Sequence, residues 1–253
     1  MKRFVFPREH GAWGMLLQPF VAAAIVGRQW TWFLIPGLLL ILTVFLIREP
    51  LLVLARQRFV WRVERPETAA AKRTLLWELA LMAACAAIVA WRIPIGILAA
   101  FGAVAMALTL AAVAMAVKNR QRSVVLQILS SFGLSCSGLL AALLTTGTIP
   151  EWAIAVALLH ALHSVAGIFV VHARLDKNSR PAMIQQVVNV AAAVVIALQW
   201  NALFAIPVAL SVAITAYELQ RLNKPEPLQK TGLRTLSLSL VHTAAVIAVL
   251  FAR

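Results

Sequence analysis

Phe45-Leu-Ile-Arg48-Glu49-Pro50-Leu-Leu-Val-Leu-Ala-Arg56 ends the second long apolar run of a 253-residue chain. An arginine and a glutamate stand side by side, followed by a proline, with apolar residues on both flanks. In a transmembrane helix Arg48 and Glu49 lie within the span or at its inner mouth. Charges there are costly and mark a site. The alternative is that Arg48 snorkels to the headgroups and Glu49 pairs with it.

The rest of the chain makes the membrane reading the right one. Hydrophobic residues form 62% of it, where a soluble domain has about 45–50%. Only 13% of residues are charged, yet the net charge is +14. A soluble protein this basic would point to nucleic acid. Here membrane topology explains the excess, and no nucleic-acid partner is expected. Cys85 and Cys136 sit in apolar runs without metal-ligand spacing and read as small core residues. Residues 1–6 are too short for the charged and apolar regions of a signal peptide, so the first apolar segment is expected to remain as a helix.

A span needs about 20 mostly apolar residues. Breaks at charge clusters, Gly and Pro predict nine: 11–27, 31–54, 75–92, 95–117, 124–146, 151–173, 183–200, 202–220 and 233–251. The charges support this count. Of the 23 Lys and Arg, only Arg28, Arg92 and Arg253 fall on the side away from the N-terminus. That asymmetry predicts an inner N-terminus and an outer C-terminus. The outer connections are short, and Trp30, Trp32, Trp91, Trp152 and Trp200 cluster there as an aromatic belt. The longest inner connection carries Arg58, Arg62 and Arg65 with Phe59 and Trp61 between them. It is expected to form a short amphipathic helix on the anionic inner leaflet. The fold class expected is all-α, a single transmembrane helical domain over 1–253.

Candidate site residues concentrate at the inner face. Pro7-Arg-Glu-His10-Gly-Ala-Trp13 opens the first helix, and Gln18-Pro19 can open its backbone ladder further up. Val117-Lys118-Asn-Arg120 precedes a fifth helix bearing Gln127, Ser130, Ser131, Ser135 and Ser137. On the sixth span His160, His163, Ser164 and Gly167 share one face, and His172 and Asp176 stand four apart near Arg174 and Lys177. Two histidines at this spacing could ligate a metal, but they lack the third strong ligand and more often hydrogen-bond neighbouring helices. Asp176 is the only aspartate, and few carboxylates remain to hold a hydrated magnesium ion.

Pro7-Arg-Glu-His-Gly-Ala-Trp13 with Pro19, and Arg48-Glu49-Pro50 near the end of the second span, resemble the YwiC-like family of bacterial membrane proteins. That resemblance implies a multi-pass protein of the bacterial inner (cytoplasmic) membrane. A more distant likeness is to the UbiA superfamily of intramembrane prenyltransferases, which have nine helices with the N-terminus inside. It implies sites after the second and sixth helices. Lys118 and Arg120 would contact diphosphate, Asp176 would stand where an acidic motif begins, and magnesium would be the cofactor. The chain departs from that pattern: it lacks the first Asp-rich motif and has only Asp176 of the second.

Three function classes fit these residues. A transferase acting on an isoprenoid or other lipid phosphate would use Glu49, His10 and Asp176 catalytically, with Arg48, Lys118, Arg120, Arg174 and Lys177 on the anionic leaving group. A non-catalytic binder or carrier would hold an anionic lipid, quinone or porphyrin with the same basic mouth, which His10, His160 and His163 could ligate or hydrogen-bond. A secondary transporter would need broken helices, for which Pro19, Pro36 and Pro207 are candidates, and inverted repeats, which the sequence does not display.

Overall fold

The computed structural model describes residues 10–63, 66–120, 123–222 and 226–252, with backbone only at 10, 228 and 229. Its α-helices are α1 (His10–Val26), α2 (Leu34–Arg56), α3 (Glu67–Val89), α4 (Ile95–Val117), α5 (Val124–Ser135), α6 (Ser137–Thr146), α7 (Glu151–Asp176), α8 (Arg180–Gln199), α9 (Ala205–Gln220) and α10 (Leu228–Phe251). No strand occurs among the described residues. Seven segments are long and apolar enough to cross a membrane: Leu34–Trp61, Ile95–Val117, Val124–Thr146, Glu151–Asp176, Arg180–Gln199, Ala202–Gln220 and Lys230–Phe251.

Two of the nine expected spans fall outside that set for physical reasons. Helix α1 has only 17 residues. Helix α3 carries Lys72, Arg73 and Glu78 along its first half, which lowers the apolar length it can offer to lipid. The fifth expected span is helical over its length but broken at Cys136 into α5 and α6. The tight hairpin expected at Trp200-Asn201 forms: Asn201 Oδ1 accepts from the Leu203 N–H at 2.8 Å, and a 3-10 turn leads into α9. The amphipathic helix expected around Arg58 shrinks to one π-helical turn, Gln57–Trp61, which stops at Arg62 in the left-handed region (φ 54°). Gln57 accepts a hydrogen bond from Thr68 and so joins this turn to α3. Arg65 lies outside the described residues.

The break at Cys136 is explained by what crosses it. Pro19 removes an N–H from α1 and pushes the preceding turn open. The Leu16 carbonyl in that turn accepts from Ser137 Oγ at 2.7 Å. Gly138 then lets the two backbones meet, since a Cβ there would stand 3.0 Å from the Pro19 carbonyl oxygen. A proline-bearing helix and a broken helix thus cross at their irregular points, and Ser137 of one donates to the backbone of the other.

Helix α7 is central, with 67% of its spanning part buried, whereas α4 is peripheral at 6%. The main apolar core gathers Phe20, Leu40, Leu143, Leu144, Leu159, Phe204 and Val246 with their neighbours. Those residues lie toward the end that carries the short Trp-bearing connections. Arg92 closes that end by donating to the Leu144 and Thr145 carbonyls, each at 3.2 Å. Buried polar side chains collect in the other half, toward the basic connections. We expect Gly138→Leu to overpack the α1–α6 crossing and cost about 1–3 kcal/mol. Gly102→Ala, where a Cβ meets nothing within 4 Å, should leave the thermal midpoint in detergent unchanged. Equal midpoints for the two variants would refute the crossing as a structural anchor.

Candidate functional site

Two places in the bundle gather the residues of interest, one on each side of α1. The first is a half-open cavity of about 530 Å³ lined by α1, α2, α3, α4 and the α5–α6 span. Leu40, Val44, Met82, Phe101 and Leu108 are typical of its wall. Arg48 is the one charged residue among its described lining residues, and Thr109, Ser130 and Ser137 add hydroxyls. The lining runs along α4 from Leu98 to Ala112, about 21 Å at 1.5 Å per residue. Arg48, Ala112 and Ser130 mark the end of the cavity nearer the basic connections. A long apolar chamber with one cation near one end suits an amphiphile.

The second place is a line of polar groups between α7, α9 and α10. At its basic end Arg234 grips Glu218 through Nε and Nη2 at 2.6 and 2.7 Å, and Glu226 through Nη1 at 2.6 Å. Glu226 also takes Arg221 at 3.2 Å and Arg174 at 3.7 Å. Arg174 donates to Thr231 Oγ1 at 2.7 Å and to the Arg221 carbonyl at 3.3 Å. Glu218 is only 1% exposed, so this is a buried ion network that fastens three helices. Hydrogen bonding to Arg234, then to Arg221, holds the Glu226 carboxyl below the usual carboxylate range.

Further into the bundle the line continues through Thr215 and Ser211 on α9, both buried. His163 Nδ1 lies 2.9 Å from Ser211 Oγ. His242 of α10 stacks on His163 with ring centroids 4.2 Å apart, and meets His160 edge-on at 5.5 Å. His160 Nδ1 donates to the Val156 carbonyl at 2.8 Å, which leaves Nε2 as an acceptor 3.2 Å from Thr243 Oγ1, whose one proton also has the Ser239 carbonyl in reach at 2.9 Å. Gln18 of α1 closes the group: its Nε2 donates to Ser239 Oγ at 2.7 Å, and its Oε1 lies 3.2 Å from Thr243 Oγ1. Leu16 therefore faces the cavity while Gln18, two residues on, faces the histidines.

These positions sort the residues expected from sequence. His160 and His163 are brought together with His242. Arg48 lines the cavity. Glu49, partly buried on α2, is not among the described lining residues. Arg174 is bound into the ion network. Lys118, Arg120, Lys177 and Asp176 are exposed at the basic end. His172 lies 3.0 Å from Gln127 and 3.8 Å from Asp176. The side chain of His10 lies outside the described residues. Among the described residues no group of three or more His, Cys, Asp or Glu is arranged to hold a metal. The ring stacking explains why the three histidines are not one. Rings held at 9° keep their lone pairs in separate parallel planes, which cannot converge on one ion.

Sequence reasoning missed His242, Glu218 and Arg234 as site residues, and Glu78, whose Oε2 is buried without a hydrogen-bond partner on α3. A signal for the first three existed. On α9, Ser211, Thr215 and Glu218 recur at four and three residues, and on α10 Thr231, Thr235, Ser239 and His242 do the same. Each series is one polar stripe on a helix.

A family model described as YwiC-like protein matches residues 6–143, which hold the cavity-forming helices up to most of α6. No curated protein matches the chain, and no solved structure does.

Removing one partner of a buried ion pair costs about 3–5 kcal/mol because the other charge stays behind. We expect Glu218→Ala to lose stability on that scale, while exposed Asp176→Ala stays within about 0.5 kcal/mol, both read by thermal or urea unfolding in detergent. Glu226 titrates lower in the folded protein than its ordinary 4.5. Its contribution is therefore full above that value and is lost as pH falls through the lowered one. Thermal midpoints measured from pH 6 downward should fall, and Glu226→Gln should flatten that fall.

Proposed function

Because the chain belongs to the YwiC-like family and is a multi-pass membrane protein, we propose that its role is to bind an amphiphilic anion in the cavity between α1, α2, α3, α4 and the α5–α6 span. The ligand has an isoprenoid or other lipid tail and a phosphate-bearing head. The observation that carries this is the cavity's make-up: an apolar wall with Arg48 as its one charged described residue. A guanidinium is the side chain best shaped for phosphate, because its planar fork can donate two parallel hydrogen bonds. Lys118 and Arg120, exposed at the same end of the bundle, would draw anionic heads toward it.

The placement follows from the charge pattern. Nine spans, with the basic end in the cytoplasm, the C-terminus outside and the chain in the bacterial inner membrane, satisfy the asymmetry of Lys and Arg. Helix α1 then crosses the membrane inside the bundle, against α6 and α10, and α3 crosses at its edge against α2, with Leu76 and Trp77 exposed.

Catalysis would be an addition to this binding. In the transferase reading Glu49 or His10 would move a proton, and Asp176 would help hold magnesium. Lys177 would join Lys118 and Arg120 on the departing diphosphate, whereas Arg174, also expected there from the sequence, is already committed to Glu226 and Thr231. The adjacency of Glu49 to the cavity's Arg48 in the chain favours keeping it as the second reading. One titration separates the two. Farnesyl diphosphate is added to detergent-purified protein, with and without magnesium, and the thermal midpoint is followed. A ligand at a hundred times its Kd stabilises by about 2.7 kcal/mol. The binder reading expects that shift without magnesium, and its loss in Arg48→Gln and in Ala105→Phe, which fills the chamber. A shift that needs magnesium and disappears in Glu49→Gln or Asp176→Asn supports the transferase. Absence of any shift sinks both.

A further inference from the structure

His242 is 1% exposed, and neither of its ring nitrogens has a hydrogen-bond partner. A neutral imidazole carries one N–H and one lone pair, and leaving both unspent inside a bilayer is expensive. Its surroundings are not apolar filler. His163 stacks on it, His160 meets it edge-on, and hydroxyls of Ser211 and Thr243 bond to those two rings. We propose that His160, His163 and His242 form a proton-binding station, reached from the basic end along the polar line between α7, α9 and α10.

The line has the right length and direction. From Arg174 to His163 is eleven residues of α7, about 16 Å, half of a hydrocarbon core of about 30 Å. Glu218 and Arg234 stand at its entrance, Thr215 and Thr235 between. Gly167 of α7 sits opposite Thr235, where an added Cβ would meet its Cγ2 at 4.0 Å, so the helices touch along this stretch. Beyond His160 the path ends. Phe20, Leu159 and Val246 fill the far half of the bundle with side chains that cannot carry a proton. The station is therefore the closed end of a half-path.

The step itself is a simple binding. A proton from water at the basic end arrives on a ring nitrogen lone pair, of which His242 holds one that accepts no hydrogen bond. His160 is committed on one side, since Val156 offers only a carbonyl to its Nδ1. The ionisable groups around His242 are few. Helix α7 contributes His160 and His163, with His172 and Arg174 further toward the basic end. Helix α9 contributes Glu218, with exposed Tyr217. Helix α10 itself carries Arg234 and Lys230. Residues 11–26 of α1 and the 202–204 turn contribute none. Glu218 is already engaged by Arg234. Among the described residues no carboxylate lies beside the rings, so a bound proton has only the neighbouring hydroxyls and rings to stabilise it.

A half-path has a distinctive electrical signature. Moving a charge part of the way into the membrane displaces charge without letting it cross. Proteoliposomes adsorbed on a solid-supported membrane are given a rapid acid jump, with protein-free liposomes as the blank. The expected result is a transient current above the blank that decays to zero. It is lost in His242→Phe and His163→Leu, and kept in His172→Ala, a histidine outside the station. Thr243→Val, a smaller change, should slow or shrink the transient, which guards against misfolding of the His242 variant. A wild-type response equal to the blank, or a transient that survives in both His242→Phe and His163→Leu, overturns the station. A sustained current overturns the closed end. None of these readings depends on whether the cavity of α1–α6 binds an amphiphile.

Discussion

Inside a bilayer a polar group must find its partner in the protein, and α1 is where that constraint is met first. Pro19 removes a backbone N–H there and leaves a turn that no lipid could satisfy. Ser137 takes the Leu16 carbonyl there, and Gly138 allows the approach. Two turns of consequence follow from this one crossing. Leu16 is held toward the cavity and Gln18 toward the histidines, so α1 becomes the wall between an apolar chamber and a polar line. The 17-residue length of α1 is tolerable because it is enclosed by α6, α7 and α10 and need not meet lipid all round.

The two sides of that wall are built on opposite principles. The cavity side keeps space, with α4 leaning on α2 and α5 and little else. The one charge among its described lining residues, Arg48, is placed near one end, where an amphiphile's head would lie. The polar side keeps no free acid. Three arginines engage two glutamates at the entrance, leaving one positive charge in excess, and this fastens α7, α9 and α10 at the cost of partly desolvating the charges. Such networks specify arrangement more than they add stability. This one also fixes the register that brings His242 onto His163.

Much of this was legible in the chain. Span lengths and the clustering of Lys and Arg are local properties, so the helices appear close to where hydropathy places them, down to the turn at Trp200-Asn201. Arg48 could be picked out because a charge flanked by apolar residues needs no partner to be noticed. What could not be read was lateral pairing. Arg174 and Arg234 look the same in sequence as any basic residue at a membrane face, and only the packing of three helices shows that Glu218 and Glu226 claim them. His242 was hidden for the same reason: alone on α10 it is one polar residue among Ser and Thr, and its meaning comes from α7. The break at Cys136 carries no proline, and Gly138 beside it gives only the room for a close approach. Its cause sits on α1, more than a hundred residues earlier.

The asymmetry between the two halves of the bundle constrains any function that crosses the membrane. Toward the basic end, polar side chains form a nearly continuous series from Glu226 to Thr243. Toward the other end, Phe20, Leu159, Phe204 and Val246 pack with a few per cent exposure or less. Opening a polar route there would mean separating α1, α7, α9 and α10 where they are most apolar, and giving up about 25 cal/mol for each square ångström exposed to water. Among the described residues that half offers few side-chain hydrogen bonds in return, and those of Thr145 and Arg92 are already spent on backbone carbonyls. A rocking motion that exposes the histidines alternately to both faces therefore works against the best-packed part of the molecule. Movement of α4, buried over only 6% of its span, works against almost nothing. The bundle is rigid where a through-path would have to form and loose where a lipid would enter, which favours lateral exchange with the bilayer over transport across it.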